Sequence, residues 1–237
     1  LDVIASGPTA PDETTYGDAL AVIDRYKLRG KIPAAVTETL GMGVRREIPE
    51  TPKAGDAVFA KVTNVIVGNS RIALRIAEEK AKEAGCETTV LTAELTGEAA
   101  AAGRWLAGKA REAKRSLAGG AGKKICLIAG GETTVAVRGS GRGGRNMELA
   151  LAFAEAIAGT DGITLLSAGT DGTDGPTDAA GAFADGATAE RAAKTGMSAE
   201  SYLKNNDSYT FFKAEGGLFV TGPTGTNVMD IQTVLIQ

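Results

Sequence analysis

The sequence predicts an α/β fold, and three observations carry that expectation. Strand-sized β-branched runs alternate with helical segments: Lys61 to Val67, Arg71 to Ala84, Glu87 to Leu91 and Gly97 to Leu117 read β-α-β-α, the order of a parallel sheet with helices on its faces. The chain has 237 residues and is 43% hydrophobic, enough to build the core of one large domain or two small ones. Its 32 glycines gather in a few polar loops without any repeat, the pattern of backbone that approaches a ligand. Aromatics are only 5%, so the core must be mostly Ala, Val, Leu and Ile.

In chain order, LDVIASGPTAPD opens as a loop, because its two prolines and Gly-Pro pair resist regular structure. From Thr15 to Tyr26, Ala19, Leu20, Ile23 and Tyr26 fall on one helical face. Pro33 can start a second helix, ending near Gly41-Met42-Gly43. Arg45 to Gly55, with Pro49 and Pro52, reads as a loop. Gly68-Asn69-Ser70 caps the helix that follows, and Gly85 closes it. Gly119-Gly120-Ala121-Gly122 is the predicted boundary between two regions of different character. Beyond it come a strand over Lys124 to Ala129, a sharp turn at Gly130-Gly131 and a β-branched stretch, Thr133 to Arg138, that suggests a hairpin. A helix over Asn146 to Ala158, a strand over Ile163 to Ser167 and a loop over Ala168 to Ala182 come next. Short helices over Thr188 to Lys194 and Ala199 to Lys204 precede strands at Gly217 to Thr221 and Thr233 to Ile236.

Bulk chemistry removes several functions. A net charge of -3 and a pI near 5.3 leave no basic face for nucleic acid. The longest apolar runs, Val65 to Val67 and Ile125 to Ala129, fall far short of the roughly 20 residues that span a bilayer. No charged segment leads into an apolar one as in a secretory leader, and the cytoplasm is the expected compartment. Cys86 and Cys126 lie outside metal-type spacing and read as buried thiols. The absence of histidine rules out a Ser-His-Asp triad, a Cys-His dyad and His-containing zinc sites within this chain. Acid-base chemistry has to use Asp, Glu, Lys or Tyr of this chain, or come from residues outside it.

Three polar loops follow strands in the second half, where ligands of open α/β sheets bind. The first, GGETTVAVRGSGRGGRN (Gly130 to Asn146), leads into a helix. Helix N-termini and glycine-rich backbone offer N–H groups to anions, and Arg142 and Arg145 add forked donors matched to phosphate or carboxylate. It is neither a Walker A loop nor a dinucleotide fingerprint, and a hairpin tip with solvated arginines is the plainer reading. The second, GTDGTDGPTDAAG (Gly169 to Gly181), places Asp171, Asp174 and Asp178 within eight residues. Carboxylates this dense call for a divalent cation or arginines, though Asp-Gly turns account for them equally well. The third joins Asn205-Asn206-Asp207-Ser208-Tyr209 to Thr221-Gly222-Pro223-Thr224-Gly225-Thr226-Asn227, small polar groups suited to a base, ribose or phosphate, or to ordinary turns.

Taken together, GGETTV (Gly130 to Val135), GRGGRN (Gly141 to Asn146), GTDGTDGPTDAAGA (Gly169 to Ala182), NNDSY (Asn205 to Tyr209) and TGPTGTNV (Thr221 to Val228) resemble the glycerate kinases whose C-terminal half is the domain called multi-organism fragment with rich leucine, MOFRL. IASGPTAPD (Ile4 to Asp12) and the Ala-rich helices resemble the later part of those enzymes' first domain. The resemblance implies a remnant of a Rossmann-like parallel α/β domain over residues 1–118, followed over 119–237 by a smaller α/β domain with a mixed sheet. Family members are longer, so a missing N-terminal segment of the same protein is expected as a partner. An exposed sheet edge left by its loss would favour a homodimer.

The resemblance further implies transfer of the γ-phosphoryl group of ATP to glycerate, at the 2-hydroxyl, with Mg2+ or another divalent cation. Arg145 is then expected to stabilise the transferring phosphoryl oxygens. Asp171 would hold the metal or accept the hydroxyl proton. Asp174 and Glu132 would support metal or substrate, and Arg142 would hold the glycerate carboxylate. Thr133, Asn146, Thr170, Asn206 and Asp207 join them as substrate or nucleotide contacts, with Ser6 and Asp12 contributed by the first domain. Two other readings compete: a hydroxypyruvate reductase, which the absence of a dinucleotide fingerprint opposes, and a non-catalytic nucleotide- or ligand-binding module.

Overall fold

The computed structural model describes residues 1–2, 4–117 and 122–237, which group into two compact units, Leu1–Ile66 and Val67–Gln237. Residues 119–121 of the boundary expected from the sequence lie outside the described residues.

The first unit is built on two helices, α1 (Tyr16–Arg25) and α2 (Ala34–Val44). α1 starts where the sequence places it because Thr15 and Asp18 satisfy each other's backbone N–H in a reciprocal capping box. α2 ends at Val44, one residue past the Gly41-Met42-Gly43 stretch where its end is expected. Gly43 is needed as glycine, since a Cβ would run into the ring of Tyr16. The strand expected over Lys61 to Val67 does not form. Ala57–Lys61 is a 3-10 turn, and Val62 to Gly68 carries no strand pairing. A strand exists only as part of a hydrogen-bonded ladder, and these residues find no partner among those described; Val67 is 91% exposed.

The second unit continues with α3 (Ser70–Glu83), β1 (Cys86–Leu95), α4 (Ala99–Ser116), β2 (Lys124–Gly131), α5 (Arg145–Ala156), β3 (Ile163–Gly169), β4 (Gly181–Asp185), α6 (Thr188–Ala193), α7 (Ala199–Lys204), α8 (Ser208–Glu215), β5 (Leu218–Phe219) and β6 (Asp230–Ile236). Among the described residues the strands form one six-stranded mixed sheet in the order β1-β2-β6-β3-β4-β5. Only β1 and β2 are parallel, joined through α4 as a β-α-β unit, and the other pairs are antiparallel. The strand expected to belong to the first domain therefore shares a sheet with those of the second. Asn69 caps α3 by accepting from the Ile72 amide at 2.9 Å, as its sequence suggests.

β2 shows why its run is apolar throughout. Ile125, Leu127 and Ala129 face the large core beneath α4 and α5, while Cys126 and Ile128 face the smaller cluster around Leu74 of α3. Burial pushes the Cys126 thiol up to about 11, which suits an inert core residue. α5 is buried on every side from Asn146 to Ala154. Each large apolar side chain it buries, such as Leu149 or Phe153, contributes about 1.5–3 kcal/mol. α4 crosses it closely because Gly103 has no side chain. A Cβ there would strike the Leu149 carbonyl and lie 3.2 Å from the Ala152 Cβ. Gly103→Ala should therefore destabilise the fold by about 1–3 kcal/mol, read as a lower denaturant midpoint at constant slope.

Two local expectations change. Thr133 to Arg138 is not a hairpin arm. Thr134 exchanges backbone bonds with Gly97 and Ala99, so the segment lies along the start of α4 and leaves β2. α8 replaces what reads as loop after Asn206. Phe211 and Phe212 drive it into the core, and Gly216 ends it in the left-handed conformation at φ 96°.

Candidate active site

The C-terminal ends of β2 and β3, the N-terminal end of β6 and the first turn of α5 meet at one end of the central strands. Arg145 is the first residue of α5. Its guanidinium donates from Nε to Asp230 Oδ2 at 2.6 Å and from Nη2 to Asp230 Oδ1 at 2.9 Å, with Glu132 Oε1 at 3.5 Å. These hydrogen bonds raise the guanidinium further above its ordinary pKa, so it is a permanent cation. A cavity of about 560 Å3 opens beside it, lined by Thr133, Arg142, Arg145, Glu148, Pro176 and Asn206 among others. That volume lies within the usual range for small-molecule sites.

Arg142 is held on three sides. Its guanidinium stacks 4.5 Å from the Tyr209 ring centre, donates to the Pro176 carbonyl from Nε and Nη2, and takes backbone support from Asp207, which accepts from the Arg142 amide at 2.9 Å. The Tyr209 hydroxyl donates to Asp178 at 2.7 Å. Two of the three acids of the second loop are thus structural here, because Asp174 is as well.

Asp174 is fully buried and caps α5. Its Oδ1 accepts from the Asn146 amide at 3.0 Å and its Oδ2 from the Met147 amide at 2.8 Å. Burial nevertheless pushes this carboxyl up to about 6, outweighing the two amide bonds. The helix N-terminus read as an anion site thus holds an anion supplied by the chain itself, and Asp174, expected to support metal or substrate, spends both oxygens on it. Gly144 leaves room for it, since a Cβ would overlap the Asp174 carboxylate. Asn146 is likewise turned inward. Its Oδ1 accepts from Ser167 at 2.7 Å, in a buried group completed by Gln232.

The asparagine loop clamps the glycine-rich loop. Asn206 Oδ1 accepts from the amides of Arg138 and Gly139 at 2.7 and 3.0 Å, and Asn205 takes those of Ser140 and Gly141. Most amides expected to cradle a phosphate are consumed in this way, so Asn206 and Asp207 shape the site from behind. Asn206 also donates to Glu148 Oε2 at 3.0 Å, and burial raises the pKa of that carboxyl. Thr170 ties the second loop to the last one: its hydroxyl donates to the Met229 carbonyl and accepts the Val228 amide. Asp171 is half-buried, takes the Thr173 amide at 3.0 Å and lies 3.4 Å from Asn227 Nδ2. A Cβ added at Gly169 would stand 3.1 Å from Asp171 Oδ1 and 3.5 Å from Asp230 Oδ1, so both carboxylates flank that residue.

Of the residues expected from the sequence, Thr133, Arg142, Arg145 and Asn206 line the cavity, Glu132 stands 3.5 Å from Arg145, and Asp171 flanks Gly169 together with Asp230. Ser6 and Asp12 lie in the first unit. Ser6 is exposed, and Asp12 accepts from the Thr14 amide and hydroxyl, which lower its pKa. Asp230 and Glu148 were not anticipated. Each had a signal: a lone acid opening the apolar run DIQTVLI, and the one acid in the first two turns of a helix otherwise rich in Ala and Leu.

Residues 125–230 match the MOFRL family, and residues 1–41 match a domain of unknown function (DUF4147). The chain is 46% identical over 236 residues to the D-glycerate 2-kinase of Thermotoga maritima, covering 100% of this chain and 53% of that relative. It is 35% identical over 279 aligned positions to the glycerate kinase of Macaca fascicularis, covering 100% of this chain and 69% of that one. The crystal structure of a glycerate kinase from Thermotoga maritima matches with a TM-score of 0.83 at 44% identity, over 100% of this chain and 54% of that one. The chain spans about half the length of most of the relatives it matches.

Proposed function

The chain belongs to the glycerate kinases that carry a MOFRL domain, and on that footing we propose that its protein transfers the γ-phosphoryl group of ATP to glycerate, at the 2-hydroxyl to give 2-phosphoglycerate. The observation that carries the reading is one cavity at the strand ends lined by two oriented guanidinium groups, Arg142 and Arg145. Phosphoryl transfer asks a protein mainly for positioning and for neutralisation of negative charge. Arg145 faces the transferring phosphoryl oxygens. Arg142, with its plane fixed by Tyr209 and Pro176, holds the glycerate carboxylate.

Among the described residues, no group of three or more His, Cys, Asp or Glu side chains stands close enough to hold a metal. Mg2+ in kinases is commonly bound through one or two carboxylates together with substrate phosphates. Asp171 fits that demand, being half-buried with acceptor capacity left on both oxygens, whereas Asp174 is spent on α5. Bound there, the metal would neutralise phosphate charge. Asp171 also remains the candidate to take the hydroxyl proton.

We assign residues 119–237 to the MOFRL domain and 1–118 to the end of the domain before it. The start of the MOFRL match at residue 125 supports this division. We place the protein in the cytoplasm, a reading that the free thiols of Cys86 and Cys126 suit.

The test is ADP release by the full-length gene product with ATP, Mg2+ and D-glycerate, beside an NAD(P)H oxidation assay with hydroxypyruvate. ADP release dependent on glycerate supports the kinase. Oxidation of NAD(P)H without ADP release would replace it with the reductase. Arg142→Ala should raise the glycerate KM about 10–100-fold, the worth of one charged hydrogen-bonded contact, with a smaller change in kcat.

A further inference from the structure

We propose that Asp230 is the positioning residue for Arg145: it fixes which edge of the guanidinium faces the cavity, and so directs the charge that phosphoryl transfer needs. The inference rests on the kinase reading for its catalytic consequence and on geometry for the rest.

A guanidinium has five N–H donors on a rigid plane. Asp230 engages the Nε–Nη2 edge through two short bonds, 2.6 and 2.9 Å. The plane is thereby fixed, and the Nη1 side is left for a ligand in the cavity that Arg145 lines. Asp230 is itself immobile. Only 1% of its side chain is exposed, and it opens β6 at the centre of the sheet, in register with Gly131 on one side and Gly169 on the other. Two glycines as lateral neighbours keep side chains away from the carboxylate, so Arg145 can lie across the strand ends. Glu132 is exposed and stands farther off, so it cannot set the plane in the same way. Arginine alone would have many rotamers at the first position of a helix. The bidentate partner, 85 residues later in the chain, reduces them to one.

Two measurements on the full-length gene product test this. The first is the side-chain Nε–Hε NMR signal of Arg145, identified by its loss in Arg145→Ala. In the wild type at neutral pH it should exchange slowly and stand apart from the other arginines; in Asp230→Asn it should join them while the backbone spectrum is retained. A wild-type signal already in the bulk overturns the proposal, and that observation needs no Asp230 variant. The second is steady-state kinetics. Asp230→Asn should lower kcat at least roughly tenfold with the glycerate KM within about threefold, and Asp230→Glu should recover part of the loss. An unchanged kcat in a folded Asp230→Asn enzyme overturns the positioning role. A wild type with a protected signal and no glycerate-dependent ADP release overturns the kinase reading while upholding Asp230 as the residue that fixes Arg145.

Discussion

Arg145→Ala should lower kcat by about 10²–10³, the usual consequence of removing one preorganised charge donor from a developing anion. The glycerate KM should change far less, because the substrate carboxylate is assigned to Arg142. A second effect has to be separated from the first. With Arg145 gone, the Asp230 carboxylate, 1% exposed, is left without its partner, so folding stability should also fall, by about 1–3 kcal/mol. Arg145→Lys distinguishes the two. It restores a positive charge near Asp230 and should recover most of the stability, yet a single ammonium cannot hold the carboxylate in two places and still present a flat donor edge. A lysine variant with wild-type kcat would sink the role given to the guanidinium plane. Thermal midpoints and kcat measured on the same preparations supply the comparison.

Asp174→Ala should produce the largest loss of stability outside the hydrophobic core, about 3 kcal/mol. Both amides it accepts, those of Asn146 and Met147, lie at the buried start of α5 and would have no replacement. Asp174 also gives the protein a definite pH signature. Its folded carboxyl titrates at about 6, against roughly 3.9 for an ordinary aspartate. The folded state therefore binds the proton more tightly than the unfolded state. The contribution to stability is complete below about pH 4 and is lost as pH rises through about 6. Relative to Asp174→Asn, the wild type should gain about 1 kcal/mol between pH 7 and pH 5. Urea midpoints at those two pH values decide the matter; a gain in the opposite direction would mean that the amides and the helix end outweigh burial.

Much of the fold was legible because its signals are local. Asn69 announces α3, the Ala-rich stretch announces α4, and the all-apolar run of β2 announces a strand covered on both faces. What was not legible depends on distant partners. Lys61 to Val67 has the composition of a strand, but strandhood is conferred by a neighbour. Thr133 to Arg138 alternates like a hairpin, yet Gly97 and Ala99 claim its backbone bonds. The site divides in the same way. The arginines and the glycine-rich loop stand out in sequence, because forked cationic donors beside open backbone suit an anion. The fate of Asp174 does not, since an aspartate 28 residues beyond a helix start carries no mark that it will cap that helix. Asp230 was hidden for a related reason: an acid at the head of a β-branched strand reads as ordinary punctuation until the sheet order places it beside Arg145.

The sheet order has a consequence for biosynthesis. β6 lies between β2 and β3, although it follows both in sequence. During translation β2 and β3 leave the ribosome with their facing edges unpaired, and they stay so until more than 60 further residues have emerged. At about 5–20 residues per second that interval lasts several seconds. Nascent chains of this protein should therefore be clients of ribosome-associated chaperones over that window, and release should coincide with the arrival of Asp230 to Ile236.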